Sequence, residues 1–188
     1  MALNTMNSVE KIRAFLKENG GDEIDLNQKI TYYSFGHSPY PSAATYGLEN
    51  EVYLIDPIGA SPESMAHEAV HAYTIDADVT IDTQASWLGE GCAMYVVQKS
   101  LGAYSEALAQ VVDLAKSSWD FENETLKNDI NGLDEYLLEE SWFEYMVEKY
   151  DFKTMVQVLR NNDKFEETLG ITFKDSQVEW FNKKILNQ

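Results

Sequence analysis

The sequence predicts a single α+β domain spanning residues 1–188. Strand-rich pieces stand early and helical patterns late, and no internal repeat or composition shift marks a linker. A chain of 188 residues, 44% of them hydrophobic, suits one well-filled core and is short for two. The expected layout is a strand-rich segment over 25–60, a helix pair over 62–101 and a helical subdomain over 104–188.

Each element has its own signal. A first helix is expected from Val9 to Glu18, with Ser8 as cap, Val9, Ile12, Phe15 and Leu16 on one face, and Gly20-Gly21 as its end. Lys29–Phe35 and Glu51–Ile55, rich in Tyr, Ile, Val and Thr, read as strands. Between them His37-Ser38-Pro39-Tyr40-Pro41-Ser42 reads as a loop, and Asp56-Pro57 with Gly59 stops the second strand. Ser61-Pro62-Glu63 is a helix start: serine caps, proline takes the first helical position, and glutamate meets the positive end of the dipole. That helix should run from 62 to 75. An acidic loop with Asp76, Asp78 and Asp82 then leads to a helix over Gln84–Leu101, closed by Gly102. Further helices are expected at 104–118, 133–149, 153–161 and 174–186.

Composition removes several classes of function. The net charge of −18 repels phosphate backbones and anionic lipid heads, so neither nucleic acid nor a membrane surface is an expected partner. No apolar run approaches the roughly 18 residues of a membrane helix, and integral membrane association is not expected. No targeting signal is visible at the start, which predicts a cytoplasmic protein. Cys92, the only cysteine, can form no intrachain disulfide and reads as a small buried apolar residue. His37 reads as a loop histidine outside any site. Trp142, Phe143, Tyr145, Tyr150, Trp180 and Phe181 read as core and packing residues.

The chemistry is concentrated on the helix that begins at Pro62, in His67-Glu68-Ala69-Val70-His71. Histidines four apart lie one above the other on a helix, so both imidazoles can reach one metal ion. The glutamate between them is rotated off that face, placed to take a proton from a metal-activated water without ligating. A catalytic zinc takes three protein ligands and keeps one position open, so a third donor is needed. Nineteen residues after His71 stands Glu90, within Trp87-Leu88-Gly89-Glu90-Gly91-Cys92-Ala93.

In these two segments the chain resembles the gluzincin metallopeptidases, whose HExxH is followed at this distance by WLxEGxA. Thr74 and Ala77 stand where metzincins have glycine and histidine, and Gly89 and Met94 where thermolysin-type enzymes have asparagine and aspartate. The resemblance is therefore to the peptidase MA-like, minimal gluzincins. It implies a zincin-like domain, in which a small mixed sheet offers an edge strand over the HExxH helix and a helical half follows. It also implies a Zn2+ ion held by His67, His71 and Glu90, with Glu68 as general base and a peptide or protein as substrate. Glycines beside Glu90 would let its helix approach the histidine helix closely. Asp76, Asp78 or Asp82 would orient a zinc histidine.

Farther along, Tyr136 and Tyr145 stand nine apart, as two tyrosines do in peptidase MA-like chains, although Asp151 replaces their usual glycine. The resemblance implies Tyr136 as a donor to the oxyanion. Val52–Ile55 would be the cleft-edge strand that pairs with an extended substrate. Gly47-Leu48-Glu49-Asn50 echoes the amine-anchoring motif of aminopeptidases, though a hairpin with solvated acids accounts for it more simply. The expected activity is zinc-dependent peptide hydrolysis. Its alternatives are a catalytically silent zinc-binding module that serves regulation or a partner, and a hydrolase of a non-peptide amide.

Overall fold

The computed structural model describes residues 2–21, 24–27, 29–35, 42–46, 51–55, 61–74, 83–127, 130 and 132–187. The chain divides into two compact units, residues 1–80 with 96–103, and residues 81–95 with 104–188. The balance is mostly helical with a small sheet, a coarse α+β architecture.

In the first unit, α1 (Ala2–Asn19) is followed by β1 (Thr31–Phe35), β2 (Ser42–Tyr46), β3 (Glu51–Ile55) and α2 (Pro62–Thr74). Helix α1 starts well before Val9, so Ser8 lies inside it rather than capping it. No helix breaker stands between Ala2 and Ser8, and the turn propagates through them. It ends as its glycines dictate: the Gly20 amide donates to the Leu16 carbonyl at 2.7 Å, and Gly21 takes φ +76°. Ile12 and Leu16 are fully buried, and α1 packs against α2.

The sheet is mixed, in the order β1-β3-β2. Strand β3 pairs parallel with β1 (Thr31↔Glu51 to Phe35↔Ile55) and antiparallel with β2 (Ser42↔Ile55 to Tyr46↔Glu51). This corrects the reading of Val52–Ile55 as a cleft-edge strand, because β3 is central and its backbone is paired on both sides. Strand β2 forms from Ser42-Ala43-Ala44-Thr45-Tyr46, whose small side chains carry little β signal.

Helix α2 begins as expected. The Ser61 hydroxyl accepts the Ser64 amide at 3.1 Å, with Pro62 in the first turn. Helix α2 packs against β2, β3 and α1, burying Ala66, Ala69, Val70 and Tyr73 along with both histidines. Helix α3 (Thr83–Leu101) crosses the division in sequence: its residues to Tyr95 belong to the second unit, and those from Val96 to the first.

The second unit continues through α4 (Ser105–Leu108), α5 (Val111–Ser118), a hairpin of β4 (Trp119–Asp120) and β5 (Thr125–Leu126), and α6 (Leu133–Tyr150). Then come α7 (Phe152–Arg160), a 3-10 turn (Asn162–Lys164), α8 (Phe165–Leu169) and α9 (Phe173–Trp180), which runs into a π-helical turn (Phe181–Ile185). The single helix expected over 104–118 is thus two, broken at Ala109-Gln110, and neither the hairpin nor α8 was expected. Asp151, at φ +70°, separates α6 from α7, and its carboxylate caps α7 by accepting the Thr154 amide at 2.8 Å.

Aromatic rings fill the centre of this unit. Trp142 is fully buried, with Trp87 edge-on at 5.7 Å and Phe173 at 5.4 Å, and its indole N–H donates to the Ser176 hydroxyl at 3.1 Å. The indole of Trp180 donates in turn to Ser141 at 3.2 Å. The expected core roles of Trp142, Phe143, Tyr145, Trp180 and Phe181 hold, since all five are buried.

Candidate metal centre

The two histidines are presented by the buried face of α2. His67 and His71 are each 8% exposed, one helical turn apart, with their Nε2 atoms separated by 3.1 Å. Two ligands about 2.1 Å from a tetrahedral ion lie roughly 3.4 Å apart, so a small outward turn of either ring from this spacing suits joint coordination. The same two nitrogens can instead share one proton, one ring donating to the other. Those two uses of the lone pairs exclude each other. Glu68, between the histidines in sequence, is turned about 100° from His67 around the helix axis and is half-buried.

Glu90 is fixed by the packing of its own helix. Trp87, Gly91 and Tyr95, spaced by four, form one face of α3. Trp87 meets Trp142, Phe173 and Trp180 edge-on at 5.7, 6.0 and 6.4 Å, and Tyr95 stacks on Phe152 at 5.8 Å. Between these anchors α6 comes so close that a Cβ on Gly91 would lie 2.6 Å from the Glu139 carbonyl oxygen and 2.9 Å from Phe143 Cβ. The space at Gly91 is therefore used by α6, which corrects the expectation that this glycine admits the histidine helix. Glu90, one position away, is half-buried.

His67 and His71 belong to the first unit, and Glu90 to the second. Two imidazole nitrogens and one carboxylate oxygen are the donor types that zinc takes in catalytic sites. Tyr136 stands on the first turn of α6 with its side chain 39% exposed. Cys92 is fully buried, as expected. His37, Gly47–Asn50, Asp76, Asp78 and Asp82 lie outside the described residues.

Sequence reasoning missed Glu139. It is 1% exposed, and neither carboxylate oxygen has a hydrogen-bond partner. Burial, then the nearby charges of Glu90 and Glu135, push its pKa up to about 9. The signal was present: Glu139 precedes Trp142, Phe143 and Met146 by three, four and seven positions, which puts it on the core stripe of α6.

Comparison with protein-family models, curated proteins and solved structures finds no match to this chain. The reading of the site rests on its residues.

Proposed function

We propose that this protein is a zinc-dependent metallopeptidase of gluzincin type, with a zincin-like arrangement of its helices. The observation that carries the reading is the pairing of His67 and His71 on one buried helix face, their Nε2 atoms 3.1 Å apart, in a sequence spaced as HExxH and a downstream glutamate. When bound, zinc supplies a Lewis acid that polarises the scissile carbonyl and acidifies water.

The chain's own residues do the rest. Glu68 is not one of the three donors, and a purely structural zinc site has no use for a carboxylate at that position. It accepts a proton from the attacking water and delivers it to the amine nitrogen as the peptide C–N bond breaks. The Tyr136 phenol donates a hydrogen bond to the oxyanion. His67 and His71 would hold the ion from consecutive turns of one helix, and Glu90 would supply the third ligand from a helix anchored by Trp87.

A peptide library incubated with wild type and Glu68→Gln tests the proposal, with zinc content measured on both. Cleavage by wild type alone, with zinc retained in both, is expected. Equal cleavage by the two proteins would overturn the assignment of Glu68. No cleavage by either, with zinc present, would favour a zinc-binding module without turnover.

A further inference from the structure

A helix can roll about its own axis unless its packed face is keyed, and the roll decides where the neighbouring side chains point. The face of α3 formed by Trp87, Gly91 and Tyr95 is keyed at three levels, all within the second unit. At one end Trp87 stands edge-on to Trp142, Phe173 and Trp180, and at the other Tyr95 stacks on Phe152. Between them Gly91 rests on the backbone of α6. A Cβ there would lie 2.6 Å from the Glu139 carbonyl oxygen and 3.1 Å from its carbonyl carbon. The end levels are rings, which can turn in their seats. The middle level is backbone against backbone, with no rotamer to give. Gly91 follows Glu90 directly, so the level that yields least is the one beside the proposed ligand.

We propose that Gly91 is a positioning residue for Glu90: its contact with α6 sets the depth and roll of α3, and with them the place of the Glu90 carboxylate. The inference rests on the zinc reading of the site. A ligand set works within about 0.5 Å of its productive geometry. A methyl group at position 91 would part α3 from α6 by about 0.4–0.8 Å before the contact became ordinary. Glu90 would then be carried to the edge of that tolerance or past it, with its own side chain unchanged. Packing alone predicts a less stable protein that binds metal as before. Positioning predicts a changed metal centre.

The test uses the whole chain with Gly91→Ala. Glu179→Gln is the control, a variant that loses stability in the same unit through Lys149 on α6 and Lys183 on the π-helical turn. Zinc affinity is read by competition with a chromophoric chelator, at a temperature where each metal-free variant is folded by circular dichroism. Geometry is read from the absorption spectrum of the cobalt-substituted protein. Gly91→Ala should bind zinc about 10- to 100-fold more weakly and alter the cobalt spectrum. Glu179→Gln should keep the wild-type spectrum and an affinity within about threefold of wild type. Wild-type affinity and spectrum in folded Gly91→Ala would overturn the role. So would an equal loss in Glu179→Gln, which would tie zinc binding to stability alone. If Gly91→Ala fails to fold, Trp87→Phe loosens the same face without a clash and should shift affinity and spectrum in the same direction. An unchanged metal centre in that variant would overturn the keyed face and the role of Gly91 with it. Wild-type protein that takes up no zinc would instead remove the site reading itself, and the role with it.

Discussion

The carbonyl oxygen of Glu139 lies 2.6 Å from the point that a Cβ on Gly91 would occupy. The two helices therefore meet backbone to backbone, and the neighbour that would have to move is a carbonyl rather than a flexible side-chain tip. Gly91→Ala should gain helix propensity but force α3 and α6 apart, for a net loss of about 1–3 kcal/mol. Urea denaturation of the variant measures this; a stability equal to or above wild type would show that the helices can separate freely.

Helix α2 owes its start to Ser61, whose hydroxyl accepts the Ser64 amide. Ser61→Ala should cost about 0.5–2 kcal/mol, read as a lower melting temperature. Ser61→Asp, which keeps an acceptor at the cap, should recover most of it.

Acid should act on the second unit through Glu179. Hydrogen bonds from Lys149, at 2.6 Å, and from Lys183 hold its pKa down to about 2, against an ordinary 4.5. A carboxyl with a lowered folded-state pKa adds stability that is fully present above about pH 4.5 and lost as pH falls towards 2. Glu179→Gln should thus be less stable than wild type at neutral pH, with the gap closing between about pH 4.5 and 2. A gap that stays constant across that window would contradict the ion-pair account.

The elements legible in the sequence were those whose signals are local. Ser61-Pro62-Glu63 marked the start of α2, Gly20-Gly21 and Gly102 marked the ends of α1 and α3, and the four-residue spacing put His67 and His71 on one face. Strand β2 was hidden because Ser42-Ala43-Ala44 has neither bulk nor branching, and its pairing decides that β3 is central. The turn of the small hairpin is made by the Asp120 side chain, which accepts the amides of Glu122 and Asn123 at 3.0 and 3.2 Å, a local alternative to helix that periodicity does not register. Glu139 escaped because an acid on a helix usually marks the solvent face, although its spacing to Trp142, Phe143 and Met146 puts it on the core stripe of α6.

Tyr136 has an exposed position on α6, outside the packed core, so removing its hydroxyl should leave the fold intact. Tyr136→Phe should lower turnover by about 10- to 1,000-fold with little change in melting temperature. Unchanged turnover would take Tyr136 out of the mechanism.

The proposed chemistry depends on one ion held by His67, His71 and Glu90, and its direct measurement is zinc per chain by elemental analysis after exhaustive dialysis. Wild type should hold about one zinc per chain, and His67→Ala, His71→Ala and Glu90→Ala should each lose it or hold it weakly. A wild-type protein without zinc, or a Glu90→Ala variant that keeps full and tight occupancy, would contradict the proposed centre.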